Sequence, residues 1–147
     1  MKKLLFILLY LPMVGFGQEN SDDYLLKGLK LRLDGKYTFA IDQFTKAIDL
    51  NLKNGEAYEN RAGCYFVKGK DESAIKDYSK AISLGYFNHG IIFYDRGLVY
   101  QWKAGSNSEL AEKDYAQAIE LLLKKVDFNK DDYFLGYLKL AWKAKQV

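Results

Sequence analysis

Apolar and small residues return every three or four positions along most of this chain. Tyr58, Ala62 and Tyr65 fall at such intervals, and so do Ala74, Tyr78 and Ala81. That spacing puts each trio on one face of a helix. Tyr24, Gly28 and Leu31 repeat it, as do Ala40, Phe44 and Ala47. Gly35, Gly69 and Gly85 follow the periodic runs, and glycine just past a helix is a common stop. Asp71 is placed to cap the helix that starts beside it. Ser106 with Glu109 makes a capping-box pattern ahead of a later helix.

The predicted helices come in pairs, and the pairs repeat. AIDQFTKAIDL at 40–50, AIKDYSKAISL at 74–84 and AEKDYAQAIEL at 111–121 are three writings of one segment. The first two stand 34 residues apart, as do Tyr24 and Tyr58, and Gly35 and Gly69. From the second to the third the offset is 35 for Arg61 and Arg96, then 37 for Tyr78 and Tyr115. Two extra residues therefore enter within KAGSNSEL. A period of this length signals a repeat array. Gly28, Ala62 and Gly97 share one slot, and Ala40, Ala74 and Ala111 another. Small residues there let two helices approach closely, with Phe44, Tyr65, Tyr78, Tyr100 and Tyr115 filling the space alongside. One pair cannot bury both its faces, so neighbours must stack. In the repeated segment Lys76, Asp77 and Lys80 are expected on the solvated side.

These slots resemble the tetratricopeptide repeat family, whose unit is a helix–turn–helix with the pattern W-x₂-L-G-x₂-Y…A-x₃-F…P. Tyr24, Tyr58 and Phe93 stand in the Trp slot, and Leu31, Tyr65 and Tyr100 in the Tyr slot. The segments NRAGCY (60–65) and DRGLVY (95–100) resemble a common variant of the first helix. The closing proline is missing; Leu52 and Tyr86 occupy its first two positions. The resemblance implies an all-α fold, a right-handed α-solenoid of three units at about 21–54, 55–88 and 89–125, within a domain over 18–147. A capping helix is expected over about 131–145, with Tyr137, Leu138, Ala141 and Trp142 covering the last pair.

The resemblance also implies a concave groove, lined by the first helix of each unit, that holds a peptide or a partner's helix. Mapped slot by slot, the groove takes Leu25, Leu29, Arg32 and Leu33 from the first unit. It takes Glu59, Gly63, Phe66 and Val67 from the second, and Tyr94, Leu98, Gln101 and Trp102 from the third. Aromatic residues are favoured anchors of binding energy. Some relatives clamp acidic chaperone tails, but the matching slots here hold Leu25, Leu29, Asn60, Ile91 and Asp95. Only Asn60 suits that task, and Asp95 has the wrong sign.

Composition narrows the function classes. The chain is 49% hydrophobic and 16% aromatic, enough for a core built on large rings. It opens with Lys2 and Lys3, an apolar run from Leu4 to Leu11, Pro12, and small residues Gly15 and Gly17 before Gln18. That is the layout of a cleavable export signal over 1–17, too short for a membrane span. Its removal leaves a net charge of +1, so neither nucleic acid nor a membrane surface is an expected partner. Cys64 has no second cysteine to bridge with. It reads as a small buried residue. His89 reads as a turn residue, and no His or Cys cluster suggests a metal. The carboxylate pairs Asp22–Asp23 and Asp131–Asp132 sit at helix starts, where the helix dipole favours them. Lys139, Lys143 and Lys145 beside Trp142 read as a solvated face. No catalytic constellation, cofactor motif or small-molecule site emerges. The expectation is an exported, non-catalytic protein-binding module, periplasmic or secreted. The alternative is a structural envelope protein that self-assembles through its repeat faces. N-terminal sequencing of the exported protein should begin at Gln18; a retained Met1 would overturn the export signal.

Overall fold

The computed structural model describes residues 19–86, 90–104, 108–124 and 132–145. The expected export signal, His89, Ser106 and Asp131 lie outside them. Seven helices make up the described secondary structure: α1 (Ser21–Leu33), α2 (Tyr37–Leu50), α3 (Gly55–Val67), α4 (Asp71–Ser83), α5 (Ile91–Ala104), α6 (Glu109–Leu123) and α7 (Asp132–Ala144). The architecture is an all-α solenoid. α1 packs on α2, α3 on α4 and α5 on α6, and each hairpin packs on the next. The odd-numbered helices also touch one another in sequence, whereas α2, α4 and α6 do not. The array therefore curves around the odd-numbered helices, which form its inner layer.

Local chemistry sets the helix limits. Asn20 and Asp23 form a reciprocal capping box at α1. The Asn54 side chain accepts from the Ala57 N–H at the start of α3. Gly35 ends α1 with φ 72° and Gly69 ends α3 with φ 69°, a left-handed conformation that favours glycine. Just beyond, Lys36 N–H donates to Leu31 O at 2.9 Å and Lys70 N–H to Tyr65 O at 2.9 Å, closing Schellman turns. Two expected caps are corrected. The residue capping α4 is Lys70, with no side-chain bond, and Asp71 sits inside the first turn with its buried Oδ1 unpaired. α6 is capped by Ser108, whose hydroxyl accepts from the Ala111 N–H.

The small-residue slots carry the packing assigned to them. Ala40, Ala47, Ala62, Ala74 and Ala81 are fully buried. A Cβ placed on Gly28 would lie 2.4 Å from Cε1 of Phe44, and one on Gly97 would lie 2.7 Å from Cε1 of Tyr115. The even helix of each of these pairs thus rests a ring directly on the backbone of the odd one. At the far end, Tyr137, Leu138, Ala141 and Ala144 of α7 pack against the last hairpin. Trp142 is exposed instead, because Ala141 supplies the buried face at that turn.

Asp77 is the main correction to the solvated face. It is buried, and its carboxylate takes two bonds from the Arg61 guanidinium, Nε to Oδ2 at 2.7 Å and Nη2 to Oδ1 at 3.0 Å. Nη1 of Arg61 reaches back to the Thr45 hydroxyl of the preceding hairpin at 3.0 Å. The next hairpin repeats the device: Arg96 holds Asp114 at 2.7 and 2.8 Å and reaches Ser79 at 2.8 Å. Each guanidinium also lies beside two rings, Tyr58 and Tyr65 for Arg61, Phe93 and Tyr100 for Arg96. The bidentate geometry is the strong form of this pair. Asp77→Ala strands a shielded guanidinium and should cost about 3 kcal/mol in chemical denaturation. Arg61→Met combined with Asp77→Leu should recover most of that loss. Equal losses from the single and double variants would show that packing, not charge pairing, holds the joint.

Candidate functional site

A hollow of about 590 Å³ lies between α3 and α4 and is lined by Tyr58, Arg61, Tyr65, Asp77, Ser79 and Lys80 among others. Its central groups are already committed to the fold, Arg61 to Asp77 and Ser79 to Arg96. The inner layer offers something different. Two cavities of about 370 and 380 Å³ share Arg32, Gly63, Tyr78 and Asp95 in their walls, so they adjoin. One extends to Leu29, Glu56, Glu59, Asn60, Tyr86 and Tyr137. The other extends to Leu33, Tyr37, Phe66, Val67 and Leu98. Together they make a concave surface, polar at one end and apolar at the other.

Of the residues expected in a groove, the structure gathers Leu29, Arg32, Leu33, Glu59, Gly63, Phe66, Val67 and Leu98 here. Leu25 and Tyr94 are corrected to the core, 8% and 9% exposed. Tyr94 packs tilted on Tyr115 and edge-on to Tyr137, with ring centroids 5.8 Å apart in both cases. Its ring is held between α6 and α7 instead of facing the open side. Gln101 is half-buried and its Oε1 accepts from the Tyr115 hydroxyl at 2.7 Å. Trp102 stands exposed at the end of α5, outside both cavity walls. It nevertheless shares a slot with Leu33 and Val67, and these three are 77%, 83% and 58% exposed.

Gly63 forms part of the floor, and its backbone is open where those of Gly28 and Gly97 are covered by a ring. A Cβ there would meet only the Tyr78 hydroxyl at 3.6 Å and Nη1 of Arg32 at 3.8 Å, ordinary contact distances. Packing does not demand glycine at this position, although glycine inside a helix destabilises by about 0.5–1 kcal/mol relative to alanine. What it leaves is room.

Asp95 is the electrostatic centre. Burial is the first cause that lifts its carboxyl, and the nearby Glu59 adds to it, while Arg32 pulls the other way; the outcome is about 7 against a usual 3.8. Burial likewise raises the Tyr78 and Tyr94 phenols, with Asp95 contributing to both. Cys64, on the same helix as Gly63, is fully buried and its thiol is pushed up to about 11 by that burial. So placed, the thiol stays largely protonated at neutral pH. Among the described residues no group of three His, Cys, Asp or Glu side chains could hold a metal, and no helix is long and apolar enough to cross a membrane. The groove mapping missed Tyr37, Glu56, Tyr78, Tyr86 and Tyr137, and it named Asn60, Ile91 and Asp95 only as slots of a clamp. Tyr78 lies on an even helix, and Tyr137 reaches the cavity from the capping helix.

A carboxyl with a raised value in the folded state binds its proton more tightly there than in the unfolded chain. Its effect is therefore to lower stability as pH climbs from about 4 to about 7. Asp95→Asn should be close to neutral for stability near pH 4 and stabilising near pH 8, read as melting temperature across that range. No growth of the difference with pH would mean that Asp95 is better hydrated than its surroundings indicate.

No protein-family model matches the chain. The TPR repeat-containing thioredoxin TDX of Arabidopsis thaliana is 30% identical over 129 residues, which cover 80% of this chain and 33% of that protein. The chain thus spans about a third of that relative's length. Among solved structures, the first TPR of Spaghetti (RPAP3), bound to the HSP90 peptide SRMEEVD, superposes with a TM-score of 0.67 at 26% identity, covering 90% of this chain and all of that one. PcrH, in complex with the chaperone binding region of PopD, reaches a TM-score of 0.73 at 14% identity over 85% of this chain and 87% of that one, a likeness of fold. Period, paired helices, ring-on-glycine packing and relatives agree, and the chain belongs to the tetratricopeptide repeat family.

Proposed function

We propose that this protein is a non-catalytic interaction module that holds a peptide or helical segment of another protein against the inner faces of α1, α3 and α5. Leu29, Arg32, Glu59, Phe66 and Leu98 line the contact, with Trp102 at its rim. The observation that carries this reading is the open floor at Gly63: a helix accepts a destabilising residue where packing does not require one, and that residue lies in the walls of both cavities. Two structural neighbours support it, since Spaghetti is bound to a peptide of HSP90 and PcrH to a region of PopD. The apolar stretch behind Lys2 and Lys3 supports a place of action outside the cytoplasm.

Gly63 gives the test. Gly63→Ala should raise stability by about 0.5–1 kcal/mol, since alanine fits the helix and the space. Gly63→Leu should remain folded by circular dichroism and fill the floor. Proteins captured from envelope and secreted fractions by the wild-type chain should be lost from the Gly63→Leu variant. Undiminished capture by that folded variant would place the binding surface elsewhere.

A further inference from the structure

The concave wall is unevenly charged. Among the described residues α3 contributes Glu56 and Glu59 and α5 contributes Asp95, with one guanidinium, Arg32 of α1. The rest of that end is the Asn60 carboxamide, whose Nδ2 donates to Glu56 O, and the Tyr78, Tyr86 and Tyr137 phenols. Glu59 is hydrogen-bonded to the Tyr86 phenol. At the other end the surface turns apolar through Leu33, Phe66, Val67 and Leu98. Leu33, Val67 and Trp102, one from each unit, continue it as an exposed ladder.

We propose that the segment held in this groove carries a lysine or arginine beside apolar residues, the cation lying against Glu59 and Asp95 and the apolar side chains against Phe66, Val67 and Leu98. This rests on the groove reading above and adds the chemistry of the partner. Among the described residues three carboxylates and one guanidinium line this wall, and attraction across a partly dry surface is stronger than in bulk water. An arriving cation relieves the repulsion between Glu59 and Asp95; an acidic segment adds to it. The groove thus suits the opposite charge to the SRMEEVD peptide that Spaghetti holds. Asp95 makes the attraction depend on pH, because its carboxyl ionises near neutrality. The groups facing it are Arg32 from α1, Glu56 and Glu59 from α3, Tyr78 from α4 and Tyr94 on its own helix, with Tyr137 of α7 on the same wall.

Panning a random dodecapeptide library on the full chain, followed by fluorescence anisotropy of the selected peptides and of SRMEEVD, tests this. Selected peptides should share a lysine or arginine next to apolar residues, and SRMEEVD should not bind in their concentration range. Replacing the basic residue with norleucine should weaken binding about tenfold. The Glu59→Gln/Asp95→Asn variant should lose the same factor. It should also lose the fall in affinity between about pH 8 and about pH 6, which straddle Asp95's ionisation. Selected peptides that are neutral or acidic, yet displaced by Gly63→Leu, would overturn the cationic partner and keep the groove. Peptides indifferent to Gly63→Leu, or no enrichment at all, would overturn both.

Discussion

The structure depends on an aromatic ring seated where a side chain would otherwise stand. Phe44 lies on Gly28 and Tyr115 on Gly97, at separations that no Cβ could share. This contact fixes how closely the two helices of a hairpin approach, and stacking hairpins of one thickness brings the odd-numbered helices edge to edge. The middle hairpin differs by one position. Its small slot is Ala62, and the glycine comes next, at Gly63. Tyr78 still fills the ring slot, but its hydroxyl ends beside Gly63 at the floor of the concavity. One ring therefore serves both the core and the open surface.

Charge pairing registers the hairpins on one another. Arg61 and Arg96 each bind an aspartate in their own hairpin and a hydroxyl in the one before. The device is confined to the two internal joints. In the first unit the corresponding slots hold Lys27 and Gln43, and Lys27 pairs outward with Glu19. After the third, Ala116 takes the hydroxyl slot and Leu135 precedes Gly136 where Arg96 precedes Gly97. A buried ion pair adds little net stability over apolar packing but penalises every arrangement that leaves it unmatched. Such a joint favours one register, which a stack of similar surfaces needs more than it needs further adhesion.

Helices, period and small-residue slots were legible because each rests on spacing, and spacing is what a sequence displays. Asp77 was not. A charged residue between two lysines reads as solvated, and only its recurrence as Asp114, in step with Arg61 and Arg96, marks it as half of a pair. The groove was legible in part for a similar reason. Slot mapping finds inner-layer positions such as Leu29, Arg32, Phe66 and Leu98. It cannot say which of them a neighbouring helix covers, and Leu25 and Tyr94 are covered. Tyr137 was hidden for another reason: it belongs to no complete unit, yet α7 carries it to the cavity wall.

The concavity is also where the fold gives up stability. Gly63 weakens a helix without being needed for packing. Asp95 keeps a carboxyl largely out of water, next to another carboxyl, without the bidentate arginine that Asp77 and Asp114 have. The two residues sit on different helices and have unrelated chemistry, but they share both cavity walls. A core selected for stability alone would have an alanine at one position and a neutral residue at the other. Costs of different kinds thus converge on one surface, the one assigned to the partner in the proposed function. They also explain where the repeats diverge: Leu29, Gly63 and Leu98 share one slot, and Leu26, Asn60 and Asp95 another. In the packing slots of the even helices the three copies agree, as at Ala40, Ala74 and Ala111 and at Ala47, Ala81 and Ala118.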